Sequence, residues 1–306
     1  MTNNKPLVSI SILTYNHKDY IENGLESILS QDYDNFEIII GDDASTDGTQ
    51  EILKKYKVMY PDKITLLLHE KNLGITNNCN TVLSLCKGKY FVAIGGDDQM
   101  LPSKLSIQVD YMENNQDCNM CYHNMEAFDL DTNKFLYYTH YDSSTGKRKR
   151  DNGTVKEAIK EGVFFSPVSG MIRMKNIPDG GYNERIPFAS DYLFYVEVFA
   201  KGGSIEYIDN VLGRYGRGKN NITIKSRDID YTLDLDMLDT CNILLVKYPQ
   251  YHNEILYRYS EFLRGMRLKD KKNYFNWLKT SFKMSFNFKS LILLSIYFLS
   301  FGKVKK

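Results

Sequence analysis

Apolar positions follow two alternating rhythms from Leu7 to Phe128. Leu7–Thr14 (LVSISILT) is a short run of apolar and β-branched residues, the pattern of a buried strand. Tyr20–Ser30 instead places Ile21, Leu25, Ile28 and Leu29 on one helical face. Phe36–Gly41 (FEIIIG) predicts a second strand, Asp47-Gly48 a turn, and Gln50–Tyr60 a second helix. Ile64–Leu68 predicts a third strand, Ile75–Leu85 a helix and Tyr90–Ile94 a fourth strand. Pro102 suits the first turn of a helix reaching about Asn114, and Met120–Phe128 predicts a fifth strand. Strands alternating with helices imply βαβ crossovers. The expected fold is α/β, with a mostly parallel sheet flanked by helices.

The rhythm then changes. Lys134–Gly153 is polar, rich in Tyr and ends in Lys147-Arg148-Lys149-Arg150, which predicts a long solvated loop rather than a phosphate patch. The stretch DYLFYVEVFAKG from Asp191 predicts a helix, and beyond about Ser226 the signals are helical only. The expected division is an α/β domain over 1–225, with halves of about 1–115 and 116–225, and a helical region over 226–306.

Composition changes this picture at one end of the chain. The 306 residues are 42% hydrophobic and 25% charged, an ordinary globular balance that can bury a core without staples. The net charge of +1 conceals +10 over Arg264–Lys306 against −9 elsewhere. A basic end suits an anionic surface. Within it, Ser290–Gly302 (SLILLSIYFLSFG) is uncharged and flanked by Lys283, Lys289, Lys303, Lys305 and Lys306. That stretch is too short to span a bilayer but suits the interface, so a peripheral membrane contact is expected over a core or oligomer-contact helix. No nucleic-acid module is evident. The first residues, MTNNKPLVSI, lack a signal-peptide pattern, and five cysteines fit reduced thiols better than a disulfide framework. The expected location is cytoplasmic, at the inner face of the cell membrane. Cys118-x-x-Cys121 lacks a second pair at zinc spacing.

Ligands of parallel sheets bind beyond the carboxyl ends of the strands. The polar residues there are Thr14-Tyr15-Asn16 after strand one, Asp42-Asp43 after strand two and Asp97-Asp98 after strand four. Adjacent carboxylates repel, and a hard divalent ion that keeps phosphates in its shell relieves that repulsion. Gly95-Gly96, just before the pair, would let a ligand approach the backbone. Taken alone, Asp97-Asp98 is more readily a turn with solvated caps. Asp42-Asp43, followed by ASTDGT, is either a base- or ribose-binding carboxylate or an N-cap cluster. Asp191, near a helix start, is either a cap or a general base.

Taken together, these segments resemble glycosyltransferase family 2. VSISILTYNHKDYIENGLESILSQDYDNFEIIIGDDASTDGTQEIL resembles the family's N-terminal half, and NLGITNNCN and GKYFVAIGGDDQMLPSKL continue it in order. YNERIPFASDYLFYVEVFAKGGSIEYIDNVLGRYGRGKNNIT looks like its acceptor-side half, so the likeness covers Leu7–Thr223. The resemblance implies a GT-A fold and inverting sugar transfer from a nucleotide-sugar, with a UDP-sugar expected. It implies a glycan or lipid-linked acceptor in cell-surface polysaccharide assembly, and Mg²⁺ or Mn²⁺ as cofactor. By the same resemblance Thr14, Tyr15 and Asp43 hold the nucleotide base, with Asn16 in the same loop. Asp97 contacts the ribose, Asp98 binds the metal, Asp191 is the catalytic base, and Arg217 and Asn221 lie near the donor phosphates. Two positions depart from the family. Gly95 stands where many relatives carry another Asp, and Gly218 where they carry His. These departures motivate the alternative of a non-catalytic nucleotide-sugar-binding or membrane scaffold module. A nucleotidyltransferase would need a basic, Gly-rich loop after strand one, where Tyr15-Asn16-His17-Lys18-Asp19 stands.

Overall fold

A computed structural model describes residues 5–142, 144–187, 189–218, 232–286 and 288–299. The chain groups into two compact units, Met1–Val155 with Val163–Asp228, and Lys156–Gly162 with Ile229–Lys306.

In the first unit the predicted alternation is present: β1 (Val8–Thr14), α1 (Ile21–Leu29), β2 (Phe36–Asp42), α2 (Thr49–Met59), β3 (Ile64–Leu68), α3 (Ile75–Leu83) and β4 (Tyr90–Gly95). Then follow β5 (Gln99–Met100), α4 (Lys104–Asn114), β6 (Cys118–Asp129), β7 (Phe135–Tyr138), β8 (Met171–Arg173), α6 (Ser190–Ala200) and β9 (Ser204–Arg217), while α5 (Val155–Glu161), between β7 and β8 in the chain, falls all but its first residue in the second unit. One sheet runs in the order β3-β2-β1-β4-β8-β6-β9-β5, with β7 beside β6. The β3-β2-β1-β4 half is wholly parallel. Both faces of these strands are buried: in β1, Val8, Ile10 and Ile12 alternate with buried Ser9 and Ser11, and in β2 the consecutive Ile38, Ile39 and Ile40 read as a continuous apolar run. Beyond β4 the pairing is mixed: β8 is antiparallel to β4 and β6, and β9 is parallel to β6.

Register brings the site together. Leu13 of β1 pairs with Gly41 of β2 on one side and Gly95 of β4 on the other. The polar residues that follow the three strands therefore emerge at one level of one edge.

The structure adds β5, α5 and β8, which the sequence patterning does not predict, and differs from it in three further places. The predicted loop over Lys134–Gly153 contains β7, antiparallel to β6. Its Phe135, Leu136 and Tyr138 stay exposed, so no alternation of buried and polar positions announces it. β9, of 14 residues, is interrupted by acids and by Gly213 and Gly216; it pairs with β6 along its length in an irregular register. Pro102 lies ahead of α4 rather than in its first turn; the helix starts at Lys104 after Ser103, whose φ is 64°.

In the second unit the described elements beyond α5 are α-helices with short 3-10 turns: α7 (Thr232–Lys247), α8 (His252–Lys269), α9 (Tyr274–Met284) and α10 (Phe288–Leu299). Cys241, Leu244, Ile255, Leu263, Met266 and Leu278 are among its buried side chains, and Ser281 on α9 donates to Ser260 O on α8 at 2.7 Å.

Candidate active site

At the end of β4, Asp98 N donates back to Gly95 O at 3.2 Å, which folds Asp97 and Asp98 over the last residue of the strand. Asp98 is 2% exposed. Its Oδ1 accepts from Gly216 N at 2.9 Å and its Oδ2 from Gly95 N at 3.3 Å. A Cβ on Gly95 would stand 2.8 Å from Asp97 Oδ1 and 2.9 Å from Asp98 Oδ2. The two carboxylates thus converge on the space that a side chain at 95 would fill, which is why glycine stands there. Burial, and then the Asp97 charge, push the Asp98 carboxyl well above the usual carboxylate range; the two N–H groups and Arg217 oppose this.

This donor set fits a particular kind of ion. Among the described residues no group of three or more His, Cys, Asp or Glu gathers to hold a metal. A cage made by protein alone is therefore not built from them. Two convergent carboxylates suit instead an ion that takes the rest of its shell from phosphate oxygens and water, as Mg²⁺ does. The end of β9 closes on the pair: a Cβ on Gly216 would meet Asp97 O at 2.4 Å. Next to it, the Arg217 guanidinium lies 5.4 Å over the Tyr215 ring. Asn221 lies outside the described residues.

The loops after β1 and β2 are stapled to each other. Asn16, with φ 57°, donates its N–H to Ser45 Oγ at 2.8 Å and accepts at Oδ1 from Thr46 N at 2.9 Å. His17 N donates to Thr49 Oγ1 at 2.9 Å and Lys18 N to Asp47 Oδ2 at 3.0 Å. Asn16 therefore braces the loop, and Tyr15 beside it stands 49% exposed, its ring open to a ligand. The second acidic pair divides. Asp42 is fully buried and bonds Ser45 N, Ser45 Oγ and Gln50 Nε2, so it serves the turn. Asp43 accepts from Leu73 N at 2.6 Å and Gly74 N at 3.1 Å, tying the loop after β3 to the same edge.

Sequence patterning did not single out His17, and it marked Gly96 only as room for a ligand to approach the backbone. Thr14 Oγ1 and His17 Nδ1 are buried polar atoms with no hydrogen-bond partner among the described residues. A Cβ on Gly96 would stand 3.0 and 2.7 Å from them, so both atoms line the space left by that glycine. No local signal marks this, because it arises where two strand ends meet.

Asp191 sits in the first turn of α6, and α3 fixes that turn. Thr76 Oγ1 lies within 2.9–3.1 Å of Ser190 Oγ, Pro187 O and Ile186 O. Asn80 bonds Tyr182 in both directions, Nδ2 to O at 2.8 Å and Oδ1 from N at 2.7 Å. Asp191 itself reaches solvent, yet the protein packed around it desolvates the carboxyl and raises it above the usual range, partly offset by the Tyr192 N–H. Asp191 is thus an exposed carboxylate rooted in densely packed surroundings. Beside Asp97 opens a cavity of about 600 Å³, lined among others by Asp19, Tyr20, Gln99, Asp131 and Arg214. Cys118 and Cys121 are buried away from solvent, and burial pushes both thiols up.

Comparison with known proteins gives this edge its context. The family model described as Glycosyl transferase family 2 matches residues 9–176. A UDP-Glc:alpha-D-GlcNAc-diphosphoundecaprenol beta-1,3-glucosyltransferase of Escherichia coli, WfaP, is 41% identical over 107 residues, 35% of this chain and 41% of that protein. The fold is similar to S. aureus TarS 1-349 in complex with UDP-GlcNAc, with a TM-score of 0.66 at 19% identity over 90% of this chain and 81% of that one. It is also similar to the mannosyltransferase PcManGT from Pyrobaculum calidifontis in complex with GDP-Man and Mn²⁺, with a TM-score of 0.57 at 15% identity over 98% and 86% of the two chains. With its family model spanning more than half of the sequence and its GT-A arrangement of sheet and helices, the chain belongs to glycosyltransferase family 2 and is an inverting, nucleotide-sugar-dependent glycosyltransferase.

Proposed function

We propose that the edge formed by β1, β2 and β4 holds a nucleotide-sugar and that Asp191 activates the acceptor hydroxyl. The observation that carries this reading is the convergence of Asp97 and Asp98 over Gly95. In it, Tyr15 offers its ring to the base, Thr14 and Asp43 line the base pocket, and Asn16 braces their loop. Asp97 reaches the ribose, Asp98 holds Mg²⁺ or Mn²⁺, and Arg217 faces the donor phosphates. When bound, the ion offsets negative charge on the departing diphosphate. Asp191 accepts the proton of the acceptor hydroxyl as its oxygen attacks the anomeric carbon. The bond from that carbon to the nucleoside diphosphate breaks on the opposite face, so configuration inverts and no covalent enzyme intermediate forms. A UDP-sugar donor and a lipid-linked acceptor are supported by the Escherichia coli relative's name, and Mn²⁺ by the ion bound in the mannosyltransferase.

The test is a thermal-shift panel of nucleotide-sugars with and without Mn²⁺, followed by transfer assays with the donor that stabilises. Asp98→Asn is expected to remove the Mn²⁺-dependent part of donor stabilisation. Asp191→Asn is expected to keep donor binding and lower kcat by about 10²–10⁴-fold, the usual contribution of a general base. Unchanged turnover in both variants would overturn the assignment, and donor binding without transfer to any acceptor would favour the binding-module alternative.

A further inference from the structure

A surface helix in water normally turns a polar face outward, and α10 does not. One side packs on α9: Ser290 is buried with its Oγ 2.9 Å from Ser281 Oγ, and Tyr297 stacks on Tyr274 and Phe275 with ring centroids 5.6 and 5.4 Å away. The opposite side is apolar as well. Phe288, Ile292, Ile296 and Leu299 follow at helical spacing and are 70%, 55%, 54% and 81% exposed. Phe298 and, just ahead of the helix, Phe286 extend this surface. No Asp or Glu occurs from Lys271 to the last residue, while Lys279, Lys283 and Lys289 are exposed around the stripe.

These features select among occupants. Twelve residues of helix rise about 18 Å, well short of a hydrocarbon core of about 30 Å. No described helix is long and apolar enough to cross a membrane. A second copy paired through the same face would bring lysines against lysines, since neither α9 nor α10 carries an Asp or Glu to meet them. An anionic lipid surface satisfies both parts: acyl chains cover the stripe, and headgroups meet the lysines, whose stems reach outward. We infer that α10 lies flat in the interface of an anionic bilayer, with Phe288, Ile292, Ile296 and Leu299 inserted and Lys283 and Lys289 at the phosphates.

Flotation of the full chain with phosphatidylcholine vesicles, with and without phosphatidylglycerol, tests this. The chain is expected to co-float with the anionic vesicles and about tenfold less with the neutral ones, the difference shrinking in high salt. The double change Ile292→Glu/Ile296→Glu is expected to lower co-flotation about tenfold with the melting temperature unchanged, since both residues already face solvent. Lys283→Glu/Lys289→Glu, which leaves the apolar stripe intact, is expected to lose only the advantage of anionic vesicles. Absence of wild-type co-flotation, or wild-type flotation by a folded glutamate variant, overturns the inference. A dimer in light scattering that the glutamate pair dissolves would assign the stripe to a second copy and overturn it as well. Lipid binding does not involve Asp98 or Asp191, so its failure and failure of the catalytic reading are separately visible.

Discussion

Gly95 is the position from which the acidic pair is most directly tested. A methyl group there would press on both Asp97 Oδ1 and Asp98 Oδ2, and both are the ends of side chains that can move. The fold should therefore survive Gly95→Ala while the carboxylates spread. Mn²⁺-dependent donor affinity, measured by calorimetry, is expected to fall about tenfold, in line with small displacements of ligating groups; an unchanged affinity would show that the convergence is not used. Asp191 gives the second residue-scale prediction. Its carboxyl is raised by desolvation, and a base works only when deprotonated. Transfer at saturating donor should thus be full above the raised value and lost as pH falls through it, placing the acid limb of the kcat profile above the ordinary carboxylate value of about 4. An acid limb at that ordinary value would contradict this desolvation. The acidic candidates were legible in the sequence because strand ends are legible and carboxylates after them are conspicuous. Thr14 Oγ1 and His17 Nδ1 as orphaned atoms were not, since that property exists only once β1 and β4 lie side by side.

At the scale of elements, α3 has two duties. Asn78 donates to Gly41 O at 2.9 Å and holds the helix against β2, while Thr76 and Asn80 hold the segment that delivers Asp191. The second duty predicts a separation of effects. Thr76→Val keeps the shape and removes the hydroxyl, so it should lower kcat on the order of tenfold to a hundredfold through misplacement of Asp191, with the donor KM nearly unchanged. A rise in KM with kcat preserved would assign Thr76 to donor binding instead. Elements also differ in how far patterning reveals them. β1, β2 and β4 are buried on both faces and β3 on one side of the same parallel set, and the helices between them carry one apolar face, so hydropathy alone locates them. β7, β8 and β9 take their stability from pairing with β6 and lack a clean period, so their positions follow from the sheet and not from their own residues. The resemblance to the family covered this half without drawing its strands.

For the molecule as a whole, Lys104 contributes to how stability of the first unit depends on pH. It is 1% exposed, and its Nζ donates to Gln108 Oε1 at 2.5 Å with no carboxylate bonded to it among the described residues. Burial lowers its ammonium to about 7, against about 10.4 in an unfolded chain. Between those values the unfolded state binds more protons at this group, so its contribution to stability rises with pH, by about 1.4 kcal/mol per unit. Thiols act in the opposite sense. Burial raises Cys79, Cys86 and Cys121 to about 12, so unfolded thiols ionise first above about 8.5 and stability then declines. The lysine is therefore visible from about pH 7 to 8.5, as the difference between wild type and Lys104→Met in urea unfolding. Circular dichroism should follow it, because the single tryptophan, Trp277, belongs to the other unit. The wild type is expected to gain on Lys104→Met as pH rises across that window, whereas two parallel curves would mean that the ammonium stays charged and solvated in the folded chain. The same lysine also bears on the neighbouring His123, whose imidazole is held well below its usual range by burial and then by the Lys104 charge. Removing that charge leaves burial in place, so His123 should stay neutral across the window and the difference curve should report Lys104 alone.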